Sequence, residues 1–101
     1  MKIPRILVIE DKIDIHNLFL GQVAGRADMV LVATIEYAEK IIGRENDFDA
    51  IALDGCVPGD EINTLPLLKK LLDKFCCPII AISSSKWYNK ELIEAGCTHS
   101  L

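Results

Sequence analysis

Aromatic side chains are scarce, with three Phe, two Tyr and one Trp in 101 residues. That leaves little material for a surface that stacks bases or other flat ligands. Positive charge is also in deficit: 11 Lys and Arg stand against 15 Asp and Glu, a formal net charge of -4. The basic stripe that neutralises phosphate backbones is missing, so direct nucleic-acid binding is not expected. No apolar run approaches the roughly 20 residues needed to cross a bilayer. The mildly basic start Met1-Lys2-Ile3-Pro4-Arg5 leads into Ile6 to Ile9, which stops at Glu10-Asp11. A secretory core would have to continue further. The expectation is a cytoplasmic protein without membrane attachment. Four cysteines, Cys56, Cys76, Cys77 and Cys97, contain no CxxC. An adjacent pair is poorly placed to share one zinc ion, so reduced, partly buried thiols are expected. Gly21 and Gly25 make no dinucleotide fingerprint, because the first strand-to-helix turn has no glycine. Repeats, linkers and low-complexity tracts are also lacking, which makes residues 1–101 a single domain with one modest core.

Aliphatic residues fill the space that rings do not. Ile6-Leu7-Val8-Ile9, Met29 to Thr34, Phe48 to Leu53 and Pro78 to Ile82 are short apolar runs without polar alternation. That pattern marks strands covered on both faces. Between them, Asp14 to Ala24 carries Ile15, Leu18, Phe19 and Val23 along one side. Glu36 to Arg44 carries Ala38, Ile41 and Ile42, with Glu36 and Lys40 spaced as an i,i+4 pair. In Leu65 to Phe75 the stripe is Leu65, Leu68, Leu72 and Phe75 with Leu71 beside it. Asn63 or Thr64 can cap this segment, and Pro66 falls in the first turn, where proline is tolerated. Asn89 to Ala95 is a short fourth helix stopped by Gly96. Strand and helix thus alternate four times, which predicts an α/β fold, an open parallel sheet wrapped by helices. The residues after Gly96 are enough to begin a fifth strand and not to finish one.

Ligands of such sheets bind beyond the carboxyl ends of the strands. The first run ends in Glu10-Asp11, the third in Asp54 and the fourth in Ser83-Ser84-Ser85. Taken singly, each has an ordinary explanation. Asp54 before Gly55 suits a turn, and Glu10-Asp11 suits the start of a helix. Together they put three carboxylates and a set of hydroxyls on one sheet edge. Crowded carboxylates hold protons unless a cation neutralises them, and hard oxygen ligands favour Mg2+. A carboxylate beside that ion can attack a phosphoryl donor, with a hydroxyl bonding one of the transferring oxygens.

Ile6 to Asp11 resembles the opening strand of response-regulator receiver domains, which ends in two acids. The stretch Phe48 to Pro58 is similar to their phosphorylation strand, where proline follows the acceptor Asp four residues later. Pro78 to Ser83 resembles the strand ending in a small hydroxyl residue, and Ala95-Gly96-Cys97 the turn before the fifth strand. The resemblance implies a flavodoxin-like doubly wound sheet of order 2-1-3-4-5, with the last strand and helix incomplete or missing. It makes Asp54 the phosphoryl acceptor and Ser83 the responding hydroxyl, with Ser84 next in line. It also makes Asp11 a direct Mg2+ ligand, with Asp54 beside it, Glu10 acting mainly through a metal-bound water, and the backbone carbonyl of Cys56 completing the set. A histidine kinase or phosphotransfer protein is the implied donor partner, and a downstream protein or output domain the implied receiver of the signal. Such a domain is a self-catalysed phosphoryl acceptor in two-component signal transduction rather than an enzyme that turns over.

Some positions depart from the family. Its phosphoryl-pairing lysine falls beyond Leu101, and its switch aromatic aligns with Ser100. These departures favour an alternative, a receiver-like docking module that binds partners without phosphorylation. With the fourth strand poorly covered, a homodimer is a further expectation. A hydrolase using Asp54 as nucleophile would want a second Asp two residues on, where Cys56 stands. Asp14-Ile15-His16 resembles a cobalamin-binding loop, but Phe19 occupies the required glycine position. Trp87 is expected to cap the edge of the core, ahead of the alternative that it is a partner contact.

Overall fold

The computed structural model describes residues 3–12, 14, 17, 21, 25–57, 63–83 and 85–100. Five strands form one parallel sheet: β1 (Arg5–Ile9), β2 (Asp28–Val32), β3 (Ala50–Leu53), β4 (Ile79–Ala81) and β5 (His99–Ser100). Their spatial order is β2-β1-β3-β4-β5, with every neighbouring pair parallel. Three helices are described in full: α1 (Ile35–Arg44), α2 (Leu65–Lys74) and α3 (Lys86–Glu94). This is the α/β architecture that the alternation predicts. In the segment expected as the first helix, Asp14, Asn17 and Gly21 are helical and exposed, at the spacing of one helix face. Ile15, His16, Leu18, Phe19 and Val23 lie outside the described residues, as do Pro58, Ser84 and Leu101.

Register explains how the core is filled. Leu7 pairs with Ile51 and Ile51 with Ile79; one pleat further, Ile9, Leu53 and Ala81 align. Side chains two apart share a face, so these six make a continuous apolar row. All are at most 1 % exposed. They pack with Ala38, Ile41 and Ile42 of α1 and Leu67, Leu68 and Leu71 of α2. The alternate row, Val8 and Ala52, is buried too. Burial of both rows is why the runs show no polar alternation.

Several boundaries differ from the sequence reading, each for a local reason. β2 ends at Val32 rather than Thr34, because Thr34 caps α1, its Oγ1 accepting from Tyr37 N at 3.1 Å. β3 starts at Ala50, while Phe48 packs against Phe75 with ring centroids 6.0 Å apart. On α2 the buried stripe is Leu67, Leu68 and Leu71, and Leu72 is 39 % exposed. Glu36 and Lys40 form no ion pair among the described residues; Glu39 instead reaches Lys70 of α2 at 2.5 Å. The last helix begins at Lys86, three residues early, because Ser85 caps it by accepting from Tyr88 N. That shift carries Trp87 onto the helix surface, where it is 75 % exposed and caps no core edge.

The amino end of the sheet is held by charge. Arg5 pairs with Glu45 and with Asp47, and its backbone N–H donates to Asp49 Oδ2 at 2.8 Å. Its guanidinium lies 4.9 Å from the centre of the Phe48 ring. At the other end of the sequence, α3 stops in a Schellman turn: Gly96 N donates to Ile93 O and Cys97 N to Leu92 O. Gly96 has φ +128°, and a Cβ there would lie 2.5 Å from Leu72 Cδ1. The turn delivers Thr98, whose Oγ1 accepts from Ile79 N and donates to Ile79 O, and so seats β5 on β4. Gly96→Ala is expected to destabilise the fold by about 1 kcal/mol or more, since the left-handed turn favours glycine. A lowered urea midpoint with unchanged slope is the expected reading; an unchanged midpoint would contradict it.

Candidate acidic site at the carboxyl edge of the sheet

The sheet itself places the acids. Parallel hydrogen bonding continues one residue past each strand: Glu10 N donates to Val32 O, Asp54 N to Ile9 O and Ile82 N to Leu53 O, all at 3.0 Å. Ile9 aligns with Leu53, so Glu10 and Asp54 follow side by side on adjacent central strands. Both are buried, at 2 % and 5 % exposure. Asp11, two residues beyond the strand, is half-buried. One carboxylate oxygen from each of Glu10, Asp11 and Asp54 lies within 4.8 Å of the others.

Like charges this close, with water largely excluded, resist ionising together. Burial pushes the Glu10 carboxyl up to about 8, opposed by the Lys12 backbone N–H and helped by Asp54 and Asp11. That N–H donates to Glu10 Oε1 at 3.1 Å. Asp11 Oδ1 is buried and, among the described residues, has no hydrogen-bond partner. A buried carboxylate oxygen without a partner is costly. Three carboxylates with oxygens this close, together with a buried Asp11 oxygen that has no partner among the described residues, fit a small divalent cation. Glu10, Asp11 and Asp54 are the residues that would hold it. The cysteines take no part in such a cluster: among the described residues, the acidic trio is the only group of three ligand-type side chains close enough. Burial pushes the Cys97 thiol up to about 11 and raises Cys77 as well, as expected of structural thiols.

The loops on either side of the acids are pinned by side chains that sequence reading either missed or placed differently. Thr64, fully buried, is the N-cap residue of α2 as expected, but its side chain makes no capping hydrogen bond. Its hydroxyl donates instead to the carbonyl of Asp54 at 2.7 Å. Asn63 accepts from Val57 N at 2.8 Å and donates to Val57 O at 3.1 Å, which closes the loop after Asp54. Asn89 holds Ser83 in the same way: Oδ1 accepts from Ser83 N at 2.9 Å and Nδ2 donates to Ser83 O at 2.7 Å. Ser83 Oγ accepts from Ser85 N at 3.2 Å. Cys56 is buried within the loop that follows Asp54. The only sequence signal for Asn63 and Asn89 is a short polar residue soon after a strand end, which is common to turns of every kind.

None of the protein-family models matches the sequence, and the search of curated proteins finds no match. Solved structures are similar over nearly the whole chain. The signal receiver domain of a LuxO repressor protein from Vibrio parahaemolyticus superposes with a TM-score of 0.78 at 23% identity, covering 99% of this chain and 78% of that one. The receiver domain of RstA from Klebsiella pneumoniae, in a BeF3-activated form, gives 0.78 at 24%, covering 96% and 83%. A Burkholderia pseudomallei response regulator, solved with a phosphorylated aspartic acid, calcium ion and citrate, gives 0.80 at 20%, covering 97% of this chain and 58% of that one. This chain has the flavodoxin-like fold of response-regulator receiver domains, with the strand order the sequence resemblance implies.

Two outcomes test the site. Thr64→Val removes a buried donor while keeping the side-chain shape, and should cost about 1 kcal/mol in a urea titration; no loss would show that the Thr64 bond to Asp54 adds nothing. The second rests on the raised Glu10 pKa. Between the ordinary value and about 8 the folded chain keeps a proton that the unfolded chain releases, so stability falls as pH rises through that window. A bound cation favours the ionised carboxylates and opposes this fall. Magnesium should therefore raise the melting temperature more at about pH 8 than at about pH 5.5. Equal shifts at both pH values would count against the acidic trio as the metal site.

Proposed function

We propose that the chain is a cytoplasmic receiver domain, acting as one unit over residues 1–101, that accepts a phosphoryl group on Asp54. The convergence of Glu10, Asp11 and Asp54, with an Asp11 oxygen that has no partner among the described residues, carries this reading. A histidine kinase or phosphotransfer protein would be the donor, and a downstream protein or output domain the respondent. The phosphorylated aspartate and calcium ion of the Burkholderia pseudomallei regulator, and the beryllofluoride-activated state of the Klebsiella pneumoniae domain, support the same chemistry on a similar fold.

The Asp54 carboxylate is the nucleophile: one of its oxygens bonds to phosphorus as the bond from phosphorus to the donor breaks, leaving an acyl phosphate. Thr64 fixes the Asp54 peptide, so the side chain leaves a rigid base, which favours reaction by orientation. Glu10 and Asp11, with the Cys56 carbonyl, complete the ligand set around Asp54. Mg2+, when bound there, offsets the charge that the carboxylates and the transferring group share. Ser83, at the end of the neighbouring strand, is the hydroxyl that would bond a phosphoryl oxygen. Its contact with Ser85 N uses a lone pair and leaves the hydroxyl proton for donation.

A second reading, the docking module without phosphorylation, is favoured by Ser100. It is exposed on β5 at the position where the family carries its switch aromatic. Incubation with a small-molecule phosphodonor and magnesium separates the two readings. Intact-mass measurement should show one phosphoryl adduct, lost in Asp54→Asn and lost on chelation of the metal. An unmodified wild-type chain would overturn phosphorylation and leave the docking module.

A further inference from the structure

The carboxyl edge of β4 is closed by a side chain. Regular pairing ends at Ala81, and Ile82 N makes the last ladder bond, to Leu53 O. Ser83 is one residue further, where the sheet no longer supplies partners for its backbone. Both of its main-chain polar groups are taken by a single side chain, Asn89, which presents an amide oxygen and an amide nitrogen as a neighbouring strand would. Asn89 belongs to the first half of α3. A second tie runs alongside: Ser83 Oγ accepts from Ser85 N, and Ser85 Oγ accepts from Tyr88 N at the helix start. Ser83 and the opening turn of α3 are therefore one hydrogen-bonded body. A movement of Ser83 that left α3 behind would break two part-buried bonds at 2.9 and 2.7 Å. The exposed side of that helix carries Trp87, and Lys86, Lys90 and Ile93 line an open cleft with Ser100.

We propose that Asn89 is a positioning residue that couples Ser83 to α3, so that a shift of Ser83 toward an occupied Asp54 moves the α3 surface. This rests on the receiver reading of Asp54. It gives the chain a route from the site to its surface that runs through a side-chain amide and needs no aromatic at Ser100. Both amide groups of Asn89 are spent on the Ser83 backbone rather than on the acids, so its removal leaves the nucleophile and the metal ligands in place.

Trp87 is the single tryptophan of the chain and reports on α3. In the wild-type protein, beryllofluoride with magnesium should change Trp87 emission, and Asp54→Asn should abolish the change. In Asn89→Ala, beryllofluoride should still bind, seen as a bound 19F resonance, while the Trp87 response falls by roughly fivefold or more. Asn89→Asp, which keeps an acceptor for Ser83 N–H and loses the donor, should respond in between; it also decides the matter if Asn89→Ala does not fold by circular dichroism. A full Trp87 response in a folded Asn89 variant would overturn the coupling alone. No bound 19F resonance in the wild type would overturn the receiver reading and the coupling with it.

Discussion

Crowding of negative charge at one edge of the sheet is the constraint on which the rest depends. Glu10 and Asp54 are set side by side by ladder hydrogen bonds, just past the ends of the paired strands β1 and β3, and Asp11 follows immediately. A fold gains nothing in stability from this placement; burial raises the Glu10 carboxyl because ionising it there is unfavourable. The apolar rows beneath the acids, Leu7, Ile9, Ile51, Leu53, Ile79 and Ala81, must therefore supply the stability that the edge withholds. An arrangement that costs stability and would be relieved by one cation is characteristic of a site rather than of a scaffold.

Rigidity around the acids comes from short polar side chains rather than from more sheet. Thr64 holds the Asp54 carbonyl, Asn63 holds Val57, and Asn89 holds Ser83. In both asparagine cases the amide completes the donor and the acceptor of a residue six positions earlier. Beyond the last ladder bond a backbone group would otherwise turn to water, and the loop would sample many conformations. One planar amide removes that freedom at two points, which fixes the backbone at Val57 and at Ser83.

Much of this was legible in the sequence because β-branched runs ending in acids carry a direct physical meaning. Ile6 to Ile9 could only be a strand buried on both faces, and its end had to lie at the ligand edge. Glu10, Asp11 and Asp54 were found that way, and the structure brings them together. The α2 stripe differs from the sequence reading by a fraction of a turn, since leucines at 65, 67, 68, 71 and 72 fit more than one face and only packing into the common core selects Leu67, Leu68 and Leu71. Trp87 was misplaced because the helix start depends on which of three consecutive serines acts as the cap, and Ser85 is the one. Thr64 could be read as a helix start but not as a donor to Asp54, because that bond depends on how closely the loop returns to the strand end.

The two ends of the sheet are held in different ways, and the difference bears on motion. At the amino edge, Arg5 gathers Glu45, Asp47 and Asp49 and lies over Phe48, joining β1 to the segment that leads into β3. An arginine engaged by several partners and stacked on a ring has few alternative arrangements of similar energy. At the carboxyl edge the ties are neutral hydrogen bonds on loop residues, each of modest net worth and each able to re-form after a small displacement. A change of charge at Asp54 would therefore displace Ser83 and the start of α3 together more readily than it would disturb the amino edge.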